Sequence, residues 1–506
     1  MLLLDGNSLT LEQVADIADG AAAAVGLAAA AAARVDASRA VVERKASGEA
    51  PVYGINTGFG ALAETAIPRE SLAALQLNLL RSHAAGVGEP LPVRAVRASM
   101  ALRANVLAKG FSGIRRATLD LLIEMLNRRV HPVVPSRGSV GASGDLAPLA
   151  HLALVLVGEG QATVDKGPVQ PGRAALTAAG LHPIDLQPKE GLALINGTQP
   201  STAVAALACI AAERLARAAD ITAALSIDGL CGSMRPFDVR IHDARPHAGQ
   251  GTSAANLRRL LEGSPINASH ANCGRVQDAY SMRCAAQVHG AARDALAFVR
   301  QSLATEANGA TDNPMVFGEA DEIVSGGNFH GAPVAIAADV LAIAVTHIAT
   351  ISERRSDRLV NPALSGLPAF LTPQSGLQSG YMMAQVTAAA LTSELKTLAH
   401  PASVDTIPTS ANKEDHVSMS MGAALKAERA VVLAAHVLAV EILCACQAID
   451  LLAPLVTSEA LRPVHGFVRS LAPTLTDDRP PAPDVENIST AILSGALERS
   501  CRAEVK

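Results

Sequence analysis

The chain has 506 residues and a formal net charge of -5, from 42 basic and 47 acidic side chains. Its Lys and Arg form no block, which argues against nucleic acid or an acidic membrane surface as partner. The seven cysteines are odd in number and contain no C-x-x-C pair, so neither a zinc ribbon nor a disulfide framework is expected; reduced thiols in the cytoplasm fit best.

The first residues, MLLLDGNSLTLEQ, show no basic region followed by an apolar run, so no signal peptide is expected. The Ala-rich stretch 21–33 is too short and too weakly apolar to span a bilayer, and reads as a helix. Apolar spacing at i, i+3, i+4 and i+7 predicts helices over 71–80 and over 91–109, the latter ended by Gly110. Further helices are predicted over 203–230, 277–304, 333–357, 382–398 and 419–452. Strand-like alternation is scarce, with 161–164 as one hairpin candidate. The stretch 474–483 reads as a linker before a last short helix. The expected architecture is mainly α: a long antiparallel helix bundle over 201–506, with a smaller loop-rich helical part over 1–200, intertwined as one unit. With no Trp, three Tyr and eight Phe, the core must be filled by aliphatic residues and Ala, which favours closely packed helices.

Gly, Ser and Asn concentrate in segments between helices, at 53–60, 137–145, 195–201, 308–314, 325–333 and 406–415. Such loops bring backbone close to ligands. The central one reads Gly138-Ser139-Val140-Gly141-Ala142-Ser143-Gly144-Asp145-Leu146-Ala147-Pro148-Leu149. Taken alone, it is a loop feeding a helix, with Ser143 or Asp145 as N-cap. Ala-Ser-Gly has a second chemistry. The Gly144 nitrogen can attack the Ala142 carbonyl carbon, and loss of two waters leaves a ring with an exocyclic methylidene. That group is an electrophile, which ordinary side chains do not supply.

This stretch resembles the signature of the aromatic amino-acid ammonia-lyase family, in which Ala-Ser-Gly becomes 4-methylideneimidazol-5-one. The resemblance covers about residues 9–452 and implies the same self-made cofactor here, from Ala142, Ser143 and Gly144, with no metal or external cofactor. Other segments match in order. Tyr53, in YGINTGFG, is implied to be the base taking a β-proton; a free phenol has a pKa of about 10, so it needs help. Asn196, in ING, is implied to bond the cofactor's ring oxygen. In QDAYSMRC, Arg283 is implied to hold the substrate carboxylate, Tyr280 to assist at the cofactor, and Gln277 to hydrogen-bond substrate or cofactor. Phe329, in GGNFH, is implied to pack beside both. Each has a bland reading taken singly: a buried Tyr with its hydroxyl satisfied, a turn Asn, a surface ion pair, a core Phe.

Two positions bear on the substrate. His83, in RSHAAG, and Glu414, in SANKEDH, stand where the histidine-acting branch of the family has His and Glu. Imidazole offers an N–H donor and an N acceptor, and the two side chains suit a ring that hydrogen-bonds. The implied reaction is elimination of ammonia from L-histidine to give trans-urocanate, in a homotetramer whose subunits share active sites. Lys413, Leu395 and Ala286 depart from the family pattern and leave room for a modified imidazole. The rivals are a lyase or aminomutase of the same family acting on tyrosine, phenylalanine or a modified histidine, and a helical scaffold without catalysis.

Overall fold

The computed structural model describes residues 1–22, 24–48 and 50–506. It is mainly α-helical, with 21 α-helices and nine short strands among the described residues. Two compact units share the chain. The first takes Met1–Leu207, Arg300–Asp339 and Pro401–Leu425; the second takes Ala208–Val299, Val340–His400 and Lys426–Lys506.

The first unit is built on the helix Val93–Ala108, which is buried from Ala95 to Ala108. It ends where sequence reading placed its end, with Gly110 at φ +84°. The helices Leu11–Ala18 and Arg116–Asn127 pack on it. Thr10 starts the former through a reciprocal capping box with Gln13. The Ala-rich stretch differs from expectation. Its described part contains a strand, Val25–Leu27, paired in parallel with Leu2–Leu4, and the helix begins only at Ala29. Tertiary pairing overrides Ala propensity there. The piece Gln161–Val164 is the middle strand of a three-stranded sheet between Val130–Pro132 and Gln170–Pro171.

The second unit is helical. Among its elements are Met382–Leu398, Arg462–Leu471 and Ala482–Leu493. The expected close packing occurs where the helix Ala248–Leu261 meets Ala285–Ala307. A Cβ on Gly249 would lie 2.2 Å from the Gly290 oxygen, and one on Gly290 only 2.3 Å from the Gln250 backbone. Side chains at either position would push the helices apart. The helix expected over 277–304 is interrupted: Tyr280–Arg283 forms one turn, and the long helix starts at Ala285.

The long helices Gln199–Gly229, Ala332–Val360 and Ser420–Leu451 lie within a few residues of their sequence-predicted limits. The last two are long and apolar enough to cross a membrane, but their most apolar windows are 72% and 83% buried within the protein. Four of the five passages between units fall inside helices, which is why no linker composition marks them.

Candidate active site

The site grows from the 138–145 loop in the first unit. A Cβ on Gly144 (φ +73°) would stand 2.2 Å from the Gly197 oxygen, so the chain there tolerates no side chain. The same Gly197 oxygen accepts from the Asp145 amide at 2.8 Å. Asp145 stands at the N-cap position of the helix Leu146–Leu156 but does not cap it. Its buried carboxylate instead accepts from the Ser139 hydroxyl at 2.6 Å and the Ser201 amide at 2.8 Å. Burial raises its pKa against those hydrogen bonds. The loop is thus bent and clamped on both sides of Ala142-Ser143-Gly144.

Asn196 comes from the neighbouring turn. Its side-chain N–H donates to the Ser143 carbonyl oxygen at 3.0 Å, and its own Oδ1 is buried without a partner. The fully buried Arg103 supports that turn from behind. It donates to the Asn196 carbonyl at 2.9 Å, to Gln199 Oε1 at 2.7 Å and to the Ala193 carbonyl. Burial pushes its pKa down to about 10, which leaves it charged.

Glu414 approaches from the other side. One carboxylate oxygen accepts from the Ser143 hydroxyl at 2.7 Å. The other accepts from Thr409 at 2.7 Å and Ser410 at 2.9 Å. The turn that delivers it is strained: Ser410, Ala411 and Asn412 all have φ between 50° and 63°. Each such residue costs on the order of 1 kcal/mol or more. Mutual hydrogen bonds between the Thr409 and Glu414 backbones close the turn. Burial raises the Glu414 pKa, but the three hydroxyls and His83 outweigh it, and the net shift is downward.

His83 ends the helix Leu72–His83 and is half-buried. Burial lowers its pKa, partly offset by the Leu79 carbonyl and the Glu414 charge. The Tyr53 hydroxyl accepts from the Gly60 amide at 3.5 Å, and its ring meets Phe59 edge-on with centroids 6.4 Å apart. Burial and, more weakly, Glu414 raise the Tyr53 pKa, while the Gly60 N–H lowers it. The carboxylate therefore works against forming a phenolate. Phe329 is half-buried in a loop whose next elements are tied down: His330 stacks on His416 at 5.7 Å, and a Cβ on Gly331 would strike the Ser418 and Ser420 hydroxyls.

Those serines escaped the sequence reading. Ser418 donates to the Gly141 carbonyl at 2.8 Å, and the Met419 amide donates to the Val140 carbonyl. A Cβ on Gly141 would also strike both hydroxyls. Ser418 and Ser420 thus join the 138–145 loop to the Phe329 loop. Arg103 escaped as well. A charged residue in an apolar helix is the only signal it carries.

Gln277, Tyr280 and Arg283 belong to the second unit. Gln277 is exposed, Tyr280 is 72% exposed, and the Arg283 guanidinium lies 4.6 Å from the Tyr280 ring centroid. Asp278 fixes this segment by accepting from the Ser233 amide at 2.7 Å and from Arg275 at 3.0 Å.

The model of the aromatic amino acid lyase family matches residues 9–470. The chain belongs to this family. A histidine ammonia-lyase of Anaeromyxobacter sp. (strain K) is 58% identical over 505 residues, 98% of this chain and 99% of that protein. Among solved structures, histidine ammonia-lyase from Trypanosoma cruzi has 45% identity and a TM-score of 0.92, covering 99% of this chain and 94% of that one. Tyrosine aminomutase from Streptomyces globisporus has 38% identity and a TM-score of 0.94, with both chains fully covered. In this lyase the residues of the first unit bear directly on the fit of the family's cofactor. The Ser143 carbonyl oxygen held by Asn196 is the atom that cyclisation would turn into the ring oxygen, and glycine stands where only glycine fits. The residues present suit the group.

Proposed function

We propose that this carbon–nitrogen lyase removes ammonia from L-histidine and releases trans-urocanate. The observation that carries the reading is the 2.7 Å hydrogen bond between Ser143 and Glu414. It joins the carboxylate suited to an imidazole to the residue suited to becoming the electrophile. The full-length similarity to histidine ammonia-lyases supports the same reading.

Ala142, Ser143 and Gly144 close into 4-methylideneimidazol-5-one, which supplies an electrophile toward the substrate. Asn196 holds the ring oxygen and stabilises negative charge there. Glu414 and His83 orient the imidazole, and Tyr53 receives the β-proton. Phe329 packs against the substrate. Gln277, Tyr280 and Arg283 act at the amino-acid end, with the guanidinium pairing the carboxylate. The exposure of Gln277 and Tyr280 in a single chain supports a homotetramer with active sites shared between subunits. Seven free cysteines support a cytoplasmic, reducing setting.

The test is urocanate formation from L-histidine, followed by ultraviolet absorbance, beside L-tyrosine and L-phenylalanine. Turnover of histidine is expected, with an intact mass short by two waters. Ser143→Ala should lose the activity and keep both waters. Turnover of tyrosine or phenylalanine in place of histidine would overturn the assignment of His83 and Glu414. Shared sites predict that co-expressing Ser143→Ala with Arg283→Ala yields mixed tetramers with activity that neither variant has alone.

A further inference from the structure

The ring-binding end of the site has a definite polarity, which follows from three hydrogen bonds around His83. Its Nδ1 lies 2.9 Å from the Leu79 carbonyl oxygen and 3.0 Å from the Ser82 hydroxyl. A carbonyl only accepts, so Nδ1 must carry a proton. The Ser82 hydroxyl donates its own proton to the same Leu79 carbonyl at 3.1 Å, and so can only accept from Nδ1. The imidazole of His83 is thereby locked as the Nδ1–H tautomer. Burial lowers its pKa from the ordinary imidazole range, so at pH 8 the ring is neutral and its Nε2 is a bare acceptor.

Glu414 has the same character. Two hydroxyls occupy one of its oxygens, and only the Ser143 hydroxyl occupies the other. Closure of the 142–144 ring expels that hydroxyl as water. The oxygen it leaves is a charged acceptor with no donor from Ser143. His83 and Glu414 act on each other electrostatically, and Glu414 acts also on Tyr53.

We propose that His83 Nε2 and the freed Glu414 oxygen form a pair of acceptors that takes the substrate's imidazole as its cation, protonated on both nitrogens. A neutral ring has one N–H and one lone pair. Between two acceptors, its lone pair would face another lone pair, whereas the cation satisfies both, and the Glu414 charge compensates its own. Leu79, through its backbone carbonyl, and Ser82 are then the positioning groups that set this selectivity. The consequence is chemical as well as recognitional. When the β-proton leaves, the electron pair of the C–H bond forms the new carbon–carbon double bond as ammonia departs, and the cationic ring, by withdrawing charge through the adjoining bond, makes the β-carbon more acidic than a neutral ring would. This suits a base such as Tyr53, whose phenolate the surroundings do not favour.

The inference rests on the imidazole reading above and is tested separately from it, with trans-urocanate labelled with nitrogen-15 in the ring as probe for the mature enzyme. At pH 8 the free ring is neutral, since an imidazole titrates near about 6.5. Titration calorimetry in buffers of different ionisation heat should show uptake of about one proton per site on binding. The two ring nitrogens of the bound probe should move to similar chemical shifts, as in a cation. Glu414→Gln, which offers an N–H where the carboxylate offered only acceptors, should bind the probe without proton uptake and with widely separated shifts. Binding to the unaltered enzyme with widely separated shifts overturns the inference and leaves the imidazole reading standing. A mature, dehydrated protein that does not bind urocanate overturns both.

Discussion

Two regions of this molecule bury charged side chains, and they do so to opposite ends. In the second unit, Asp220 is fully buried with both oxygens engaged: His289 at 2.8 Å on one, Arg293 at 2.6 Å and Asn256 at 2.8 Å on the other. Nearby in the same unit, Arg355 grips Glu441 with bonds of 2.5 and 3.0 Å, and Ser226 completes the carboxylate at 2.5 Å. Both carboxylates are fully engaged, although the buried Nε2 of His289 has no partner. In the first unit, Asn196 keeps a buried oxygen unpartnered, and one oxygen of Glu414 depends on a hydroxyl that the proposed cyclisation would remove. The carboxylate itself rides on a strained turn. A closed network specifies packing; an open one awaits a ligand. Burial of charge alone does not separate the two, whereas the partners of the carboxylate oxygens do.

The largest effect should come from breaking the closed network. Glu441→Ala strands the Arg355 guanidinium in the interior and should cost about 3–5 kcal/mol of stability in urea unfolding. Replacing both, Arg355→Met with Glu441→Leu, should recover most of that loss. If the double variant is as unstable as the single one, the network does more than satisfy itself. In the open region, Asn196→Ala should cost little stability but lower kcat by roughly a hundredfold to a thousandfold, as loss of an oxyanion donor does. A thermal midpoint that collapses with the activity would place Asn196 among the structural groups.

Asp228 sharpens the comparison through pH. Burial raises its pKa from 3.8 to about 6, although Thr457 and Ser264 donate to it. The folded protein therefore holds this proton more tightly than the unfolded chain. The stabilisation is complete below pH 4 and is lost as pH rises through 6, by about 3 kcal/mol. Asp228→Asn should remove that part of the pH dependence, read as unfolding free energy at pH 4, 5, 6 and 7. At the small end, Arg240→Ala breaks an exposed pair with Asp238 and should leave the thermal midpoint unchanged.

Much of this was legible in the order of residues. Long helices announce themselves by apolar spacing, because a helix must bury one face over many turns. The Ala-Ser-Gly loop, His83 and Glu414 are legible because their chemistry needs particular residue types at particular places. Local signals failed where distant backbone intervened. The 21–33 stretch pairs as a strand with Leu2–Leu4, and the helix expected from 277 breaks at Cys284. Arg103, Ser418 and Ser420 carried no motif, since their work is done across 90 residues or more.

The sequence by itself determined a mostly helical chain, the family it belongs to, and the side chains proposed to carry its chemistry. Only the tertiary structure decided how those groups are poised. The direction of the His83 proton depends on the Leu79 carbonyl and the Ser82 hydroxyl. The state of Glu414 depends on three hydroxyls gathered around it. Residue type sets which atoms can donate or accept, but only proximity in the fold decides which of them do.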